Sequence, residues 1–170
     1  LPTELPLVGP DVGCRWSKRA GVRPAASIGG MIERSTTPAS YARVIPECSL
    51  DDRLSASGRL SVTHAEGGSG ILFGWFHHTS RGWRTPSSLA FRLDGNGGKY
   101  WVFYEYGTTS GRTGGRGAFE GERYQTTKTA PFPADGTSHQ WSLDYDPAAN
   151  AGRGGIVFQI DERKYELPLA

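Results

Sequence analysis

Apolar and polar residues alternate with a period of two through most of the chain after residue 28, and this pattern predicts β-strands with one buried face. Leu89, Phe91 and Leu93 form one such apolar set. Segments 139–146 and 154–161 alternate in the same way, and their predicted core residues are Trp141, Leu143, Tyr145, Ile156, Phe158 and Ile160. No long segment carries the apolar stripe of an amphipathic helix. The sequence therefore predicts an all-β protein.

Further strands are predicted at 28–35, 40–45, 59–65, 70–77, 100–107 and 163–169. Residues 1–27 are broken by prolines and lack periodicity, so we expect an irregular N-terminal segment. The polar segments 49–58 and 108–117 are predicted connections, and the GNGG sequence at 95–98 predicts a tight hairpin turn. Strands without helices must bury their apolar faces against one another, which predicts a two-sheet antiparallel sandwich for residues 28–170.

Segments 70–77 and 100–107 are apolar on both faces, unlike the other predicted strands. Such a strand is either covered on both sides or carries a ligand platform on one of them. Alternation places Trp101 and Glu105 on one side of their strand, where Arg92 of the preceding strand is expected to join them. We expect Trp75 and His77 to complete one concave, solvent-open surface with these residues.

Composition and charge narrow the classes of partner. The formal net charge is +2 and the isoelectric point is about 8.6, which is too mild to favour nucleic acid. No apolar run approaches the roughly 18 residues that span a bilayer, so membrane insertion is not expected. Two cysteines, Cys14 and Cys48, leave a single disulfide and two free thiols as alternatives.

A family resemblance follows from three blocks of sequence. Residues 135–167, DGTSHQWSLDYDPAANAGRGGIVFQIDERKYEL, resemble the late hairpin of concanavalin A-like lectin/glucanase (jelly-roll, laminin G-like) domains. GILFGWF and YWVFYEYG resemble the central strands of bacterial extracellular domains of that superfamily. The resemblance implies a jelly-roll sandwich and an extracellular or secreted location. Such domains continue for a further strand or two beyond the position of Ala170, so we expect either that the sequence is a fragment of a longer protein or that the last strand comes from elsewhere.

The predicted aromatic and arginine surface suits a polysaccharide. Pyranose rings stack on aromatic side chains, and their hydroxyl groups need charged or amide partners. Arginines at the rims of the surface favour acidic glycans as well. The predicted ligand-binding residues are Trp75, His77, Trp83, Arg84, Arg92, Trp101, Glu105, Arg112, Arg116 and Gln140. A lectin-like, carbohydrate-binding domain is therefore the leading functional hypothesis.

Two other classes stay open, a polysaccharide-degrading enzyme and a structural or assembly module. Glycoside hydrolysis needs two carboxyl groups on one surface, and the sequence lacks the E-x-D-x-E strand on which the related glucanases carry them. It also lacks the R-x-E-x-R strand of the jelly-roll alginate lyases. No catalytic residue is assigned on this basis. No cofactor is expected. A structural calcium ion is an alternative, and its candidate ligands, each of which is also typical of a turn, are Asp94, Asn96, Asp144, Asp146 and Asp161.

Overall fold

The computed structural model describes, with their side chains, residues 45–67, 70–77, 86–107 and 131–169. For residues 7–8, 14–15, 31–32, 40–41 and 112–117 it describes the backbone of short strands only. The contacts divide the chain into two units. The first consists of Leu1–Ile45 and Arg81–Trp83, and the second of Pro46–Ser80 and Arg84–Ala170.

In the first unit, the described backbone comprises four strands of two residues each. They are β1 (Leu7–Val8), β2 (Cys14–Arg15), β3 (Met31–Ile32) and β4 (Ser40–Tyr41). Strand β1 pairs with β4 and β2 with β3, both antiparallel. The strands predicted at 28–35 and 40–45 therefore exist as short pieces. Strands β1 and β2 lie in the segment that the sequence predicts to be irregular.

One sheet of the second unit, here called sheet I, is built around a hairpin of two long strands. Its strands are β6 (Gly70–Phe76), β7 (Ser88–Asn96), β8 (Lys99–Gly107), β9 (Arg112–Gly117) and β10 (Phe132–Pro133). Their order is β10-β8-β7-β6, and β9 also pairs with β8. All of these pairs are antiparallel.

Strand β9 corrects the prediction of a connection at 108–117. Its sequence is RTGGRG, and glycine carries no side chain that would show a strand pattern. Pairing with β8 supplies hydrogen-bond partners for the backbone of these residues, so tertiary contacts override the weak local preference.

The turn between β7 and β8 confirms the predicted hairpin. Gly97 and Gly98 have φ angles of 57° and 74°. A two-residue hairpin loop of this hand needs positive φ at both central positions, which glycine adopts without a steric cost. The GNGG sequence thus fixes the register in which the two strands meet.

The other sheet, sheet II, has four strands in the order β13-β12-β11-β5. They are β5 (Leu54–Ser61), β11 (Ser138–Asp146), β12 (Gly155–Ile160) and β13 (Arg163–Pro168). Strand β5 begins inside the segment 49–58, which the sequence predicts to be a connection. Small residues at Ala56 and Gly58 weaken the alternation there, and pairing with β11 makes the segment a strand.

A short turn, α1 (Ala149–Gly152), joins β11 to β12. It is not a regular helix, because Asn150 and Ala151 have left-handed φ angles of 53° and 55°. Asparagine tolerates this conformation better than most residues. The turn places the Asn150 side chain beside the end of sheet II, where it donates a hydrogen bond from Nδ2 to the carbonyl oxygen of Leu169.

The two sheets pack against each other through an aromatic core. The rings of Phe91 and Phe158, one from each sheet, have centroids 4.1 Å apart. The Tyr104 hydroxyl of sheet I donates to the carbonyl oxygen of Tyr165 at 2.5 Å and accepts from the backbone N–H of Phe158 at 3.3 Å. The predicted core residues of the three clearest strands all take part in this core. The prediction of an all-β protein with two antiparallel sheets is confirmed, and the shared aromatic core supports a β-sandwich.

Two properties of the chain bear on the alternatives raised by the sequence. Cys48 carries a free, exposed thiol, which is the second of the two alternatives raised for this residue. Within the part of the chain that the structure describes, no helix has the length and hydrophobicity that crossing a membrane requires.

Candidate functional site

Three of the predicted ligand-binding residues meet on the outer face of sheet I. Arg92 lies opposite Phe103 in the β7–β8 pairing, and Glu105 lies opposite Ala90. Trp101 lies opposite Asp94 on the same face. Because cross-strand partners project to the same side of a sheet, the predicted grouping of Arg92, Trp101 and Glu105 is confirmed.

The Arg92 guanidinium lies between two carboxylates. Its Nη1 is 2.9 Å from Oε1 of Glu105 and its Nη2 is 3.3 Å from Oδ2 of Asp94. The guanidinium carbon lies 4.9 Å from the centre of the Phe103 ring. Burial raises the pKa of the Asp94 carboxyl, and the charge of Arg92 opposes this shift. The arrangement is an ion-paired cluster stacked on an aromatic ring.

This cluster is buried, which corrects the expected open surface. Arg92 is 4% exposed and Glu105 is 2% exposed. A charge removed from water is tolerated when an opposite charge and hydrogen bonds accompany it, as they do here. The sequence shows the same charged residues whether the face is open or covered, so it does not distinguish the two cases. A glycan does not reach the Arg92 guanidinium in this state of the molecule.

Trp75 lies on the opposite face of sheet I. It pairs with Leu89, whereas Leu72 pairs with Arg92. Trp75 therefore projects toward the core between the sheets, and it packs against that core while partly buried. The prediction that Trp75 joins Arg92 on one surface is wrong. The β6 segment is apolar on both faces, so alternation alone did not fix which face is the inner one.

The remaining predicted residues are dispersed. His77 follows the end of β6 and is exposed. Gln140 lies on β11 of sheet II, exposed and opposite Arg59, and so is not part of the Arg92 face. Arg112 and Arg116 belong to β9, of which only the backbone is described. Trp83 and Arg84 lie outside the described residues, and so do the side chains of Arg112 and Arg116.

An open depression of about 610 Å³ lies on sheet II, where the β11–β12 turn meets the outer face. We call it the outer groove. Its polar lining consists of Arg53, Ser55, Asp144, Asp146, Asn150 and Glu166. Apolar or small residues also line it, among them Ala149, Gly155, Val157 and Pro168. Its volume is in the range of small-molecule sites in proteins, which are clefts of about 300–1,000 Å³.

The strand register explains how the outer groove is built. Ser55, Asp144, Val157 and Glu166 are successive cross-strand partners, so one outward-facing row crosses all the strands of sheet II. Neighbouring strands lie about 4.8 Å apart, which gives the row a length of about 14 Å. Gly155 deepens the next row, since a side chain there would lie 3.1 Å from the β-carbon of Ala149.

The polar groups of the outer groove are held by contacts with one another. The Ser55 hydroxyl donates to Oδ1 of Asp144 at 2.5 Å. Nη2 of Arg53 donates to Oδ2 of Asp146 at 2.8 Å, although the Arg53 side chain is 75% exposed. Oxygen acceptors and guanidinium donors thus stand around an apolar floor. This combination can hydrogen-bond a ligand rich in hydroxyl groups and cover one of its apolar faces.

The residues considered as calcium ligands have protein partners instead. Asp94 contacts Arg92, Asp144 accepts from Ser55, and Asp146 contacts Arg53. Asp161 contacts His139 and accepts a hydrogen bond from the backbone N–H of Gln140, as described below. No group of three or more histidine, cysteine or acidic side chains is arranged to hold a metal ion among the residues with described side chains.

A histidine and an aspartate form a hydrogen-bonded pair at the other end of β11. Nδ1 of His139 is 2.6 Å from Oδ2 of Asp161, and the backbone N–H of Gln140 donates to Oδ1 of the same carboxylate at 2.9 Å. These hydrogen bonds, that of His139 first, hold the pKa of Asp161 below its usual value. The His139 ring contacts Phe132 of sheet I edge-on, with centroids 5.2 Å apart. The pair therefore links the sheets structurally.

Sequence reasoning missed most of the outer groove. Asp144 and Asp146 were considered only as calcium ligands, and Arg53 and Ser55 fell in a predicted connection. The one sequence feature that pointed to the groove is that Asp144 and Asp146, two residues apart on a predicted strand, project outward on the same side. What sequence does not give is the pairing of β5 with β11, which brings together residues 89 positions apart.

No family model, curated protein or solved structure matches the chain in comparisons with known proteins.

Proposed function

We propose that this β-sandwich is a carbohydrate-binding domain and that its ligand lies in the outer groove of sheet II. The observation that carries the proposal is an open groove in which carboxylate, amide, hydroxyl and guanidinium groups surround an apolar floor. The buried Arg92 cluster of sheet I then has a structural role, unlike the role that the sequence predicts for it.

The chemistry of a sugar ring matches this lining. Each hydroxyl group of a saccharide both donates and accepts, so it pairs with a carboxylate such as Asp144 and with a cation such as Arg53. The C–H face of the ring is apolar and fits over Val157 and Pro168. The length of the cross-strand row, about 14 Å, leaves room for a short oligosaccharide along the groove.

The resemblance to concanavalin A-like domains supports the same class of function. Under this proposal the two sheets are the two layers of a jelly roll, and the domain acts outside the cell. The support is the sequence of β11–β13 and of the central strands of sheet I, together with two antiparallel sheets that share one core.

A matched pair of variants on β12 tests the site. Val157 and Gln159 both project outward from the strand, and only Val157 lines the groove. Val157→Arg places a long cation between Asp144 and Glu166 and fills the groove. Gln159→Arg adds the same charge and bulk to the same face outside it. We expect oligosaccharide binding, found on a glycan panel and measured by calorimetry, to be lost in Val157→Arg and kept in Gln159→Arg.

Three results would speak against the proposal. Failure of the protein to bind any neutral, cationic or acidic glycan would remove the function. Binding that both variants retain would remove the site. Release of new reducing ends during incubation would support the enzyme alternative instead.

A further inference from the structure

We infer that the outer groove selects amino sugars, in which a protonated amine replaces one hydroxyl group, over uronic acids. This inference rests on the proposed function, since it names the class of saccharide that the groove takes. It departs from the sequence-based expectation of an acidic glycan, which was drawn from arginines on a different part of the chain.

The charges that line the groove favour a cationic ligand. One arginine stands against three carboxylates, those of Asp144, Asp146 and Glu166, so the lining has a formal net charge of −2. A uronate carboxylate in the same place would meet like charges, which disfavours binding.

Asp144 is the carboxylate best placed to accept an amine. Asp146 contacts the Arg53 guanidinium at 2.8 Å, and Glu166 contacts Nζ of Lys164 at 2.5 Å, so both already have a cationic partner. Asp144 accepts a hydrogen bond from the neutral Ser55 hydroxyl. Within the described part of the groove, its charge is the one that no cation contacts.

The position of Asp144 suits recognition across the groove. Asp144 and Glu166 flank Val157 on the two neighbouring strands, and the row places them about 9.6 Å apart at the backbone. A ring seated over Val157 therefore directs its substituents toward a carboxylate on either side. An amine on the Asp144 side gains a charge-assisted hydrogen bond, which is stronger than the bond of a hydroxyl group.

Oligomers that differ in one group provide the test. Glucosamine oligomers and N-acetylglucosamine oligomers of equal length share the same backbone, and acetylation removes the cation. We expect the amine form to bind about fivefold more tightly in mildly acidic, low-salt buffer, the ratio that one exposed ion pair supplies. The preference should fall as salt is added. Galacturonate oligomers should bind more weakly than either.

The variant Asp144→Asn assigns the preference to one side chain. It keeps the shape and the hydrogen bond from Ser55 while removing the charge, so the amine and acetylated forms should bind equally well. Glu162→Gln removes one negative charge from the exposed β12–β13 turn and should leave the preference unchanged.

The outcomes separate the inference from the proposed function. If the acetylated or uronate oligomers bind as tightly as the amine form, or if Asp144→Asn keeps the preference, the inference is wrong while saccharide binding stands. If no oligomer binds, the proposed function is wrong. If spermine, a cation without a sugar ring, competes as well as the glucosamine oligomer, the site recognises charge alone and both proposals are contradicted.

Discussion

Replacing Arg92 by methionine should destabilise the protein strongly, because its guanidinium is the shared partner of two carboxylates. Methionine has a similar length and fits a buried site over the Phe103 ring, so the change removes charge more than volume. Glu105 then remains 2% exposed without the nitrogen that lies 2.9 Å from it. Asp94, whose side chain is 17% exposed, loses its contact at 3.3 Å.

The size of the effect follows from burial. Removing one partner of a buried ion pair costs about 3–5 kcal/mol, whereas an exposed pair is worth about 0–1 kcal/mol. Glu105→Gln keeps the volume and an oxygen acceptor, and Arg92 keeps Asp94, so we expect about 1–3 kcal/mol for that change. The double variant should cost less than the sum of the two, with a coupling free energy of more than about 1 kcal/mol.

Urea unfolding followed by tryptophan fluorescence measures these free energies. Arg59→Met is the matched control, since Arg59 is exposed on β5 and its loss should change stability by less than about 0.5 kcal/mol. A cost below about 1 kcal/mol for Arg92→Met would show that the cluster is solvated. In that case the burial described for sheet I would not hold, and the outer face would again be a candidate ligand surface.

Three further perturbations test the packing and the charge pairs. Gly74→Ala should destabilise the protein by about 1–3 kcal/mol, because the added β-carbon would lie 2.1 Å from the carbonyl oxygen of Leu89 on β7. An unchanged melting temperature, measured by circular dichroism, would contradict this close approach. Tyr104→Phe should lower the free energy of unfolding by about 1–3 kcal/mol, because the buried carbonyl group of Tyr165 loses its hydrogen-bond donor. Amide hydrogen exchange in β12 should become faster, since the N–H of Phe158 loses its acceptor. Unchanged exchange would contradict the hydrogen-bonded bridge between the sheets. The pKa of Asp161 is lowered in the folded protein, so this carboxylate contributes its full stabilisation above the unfolded pKa of about 3.9 and loses it as the pH falls through the folded pKa. Asp161→Asn should therefore flatten the acid side of a plot of urea midpoint against pH. An unaltered slope would show that the contact with His139 does not shift this pKa.

Much of the fold could be predicted because several strands alternate clearly. Leu143 and Phe158 sit among outward polar neighbours, and both are fully buried in the core. The first part of β5, at 54–58, and the whole of β9 were not predicted, because small residues such as serine, alanine and glycine give the alternation little contrast. Their positions depend on pairing with distant strands, which no local pattern encodes.

The candidate site was harder to predict for a different reason. The grouping of Arg92 with Glu105 follows from a hairpin that the sequence marks clearly. The alternation of β7 and β8 does not show whether that face is covered, and the alternation of β6, which is apolar on both faces, does not show which side Trp75 occupies. The outer groove lies across four strands, and its Ser55–Asp144 contact joins residues 89 positions apart.

Mapping a bound oligosaccharide by nuclear magnetic resonance tests most directly which face of the sandwich is the ligand face. Titration of isotopically labelled protein with a glucosamine oligomer reports on each backbone amide separately. The account predicts that shifts concentrate on the outer groove, at Ser55, Asp144, Val157 and Glu166, while the amides of Arg92 and Glu105 stay unchanged. Shifts centred on Arg92, Trp101 and Glu105, with the groove silent, would contradict it.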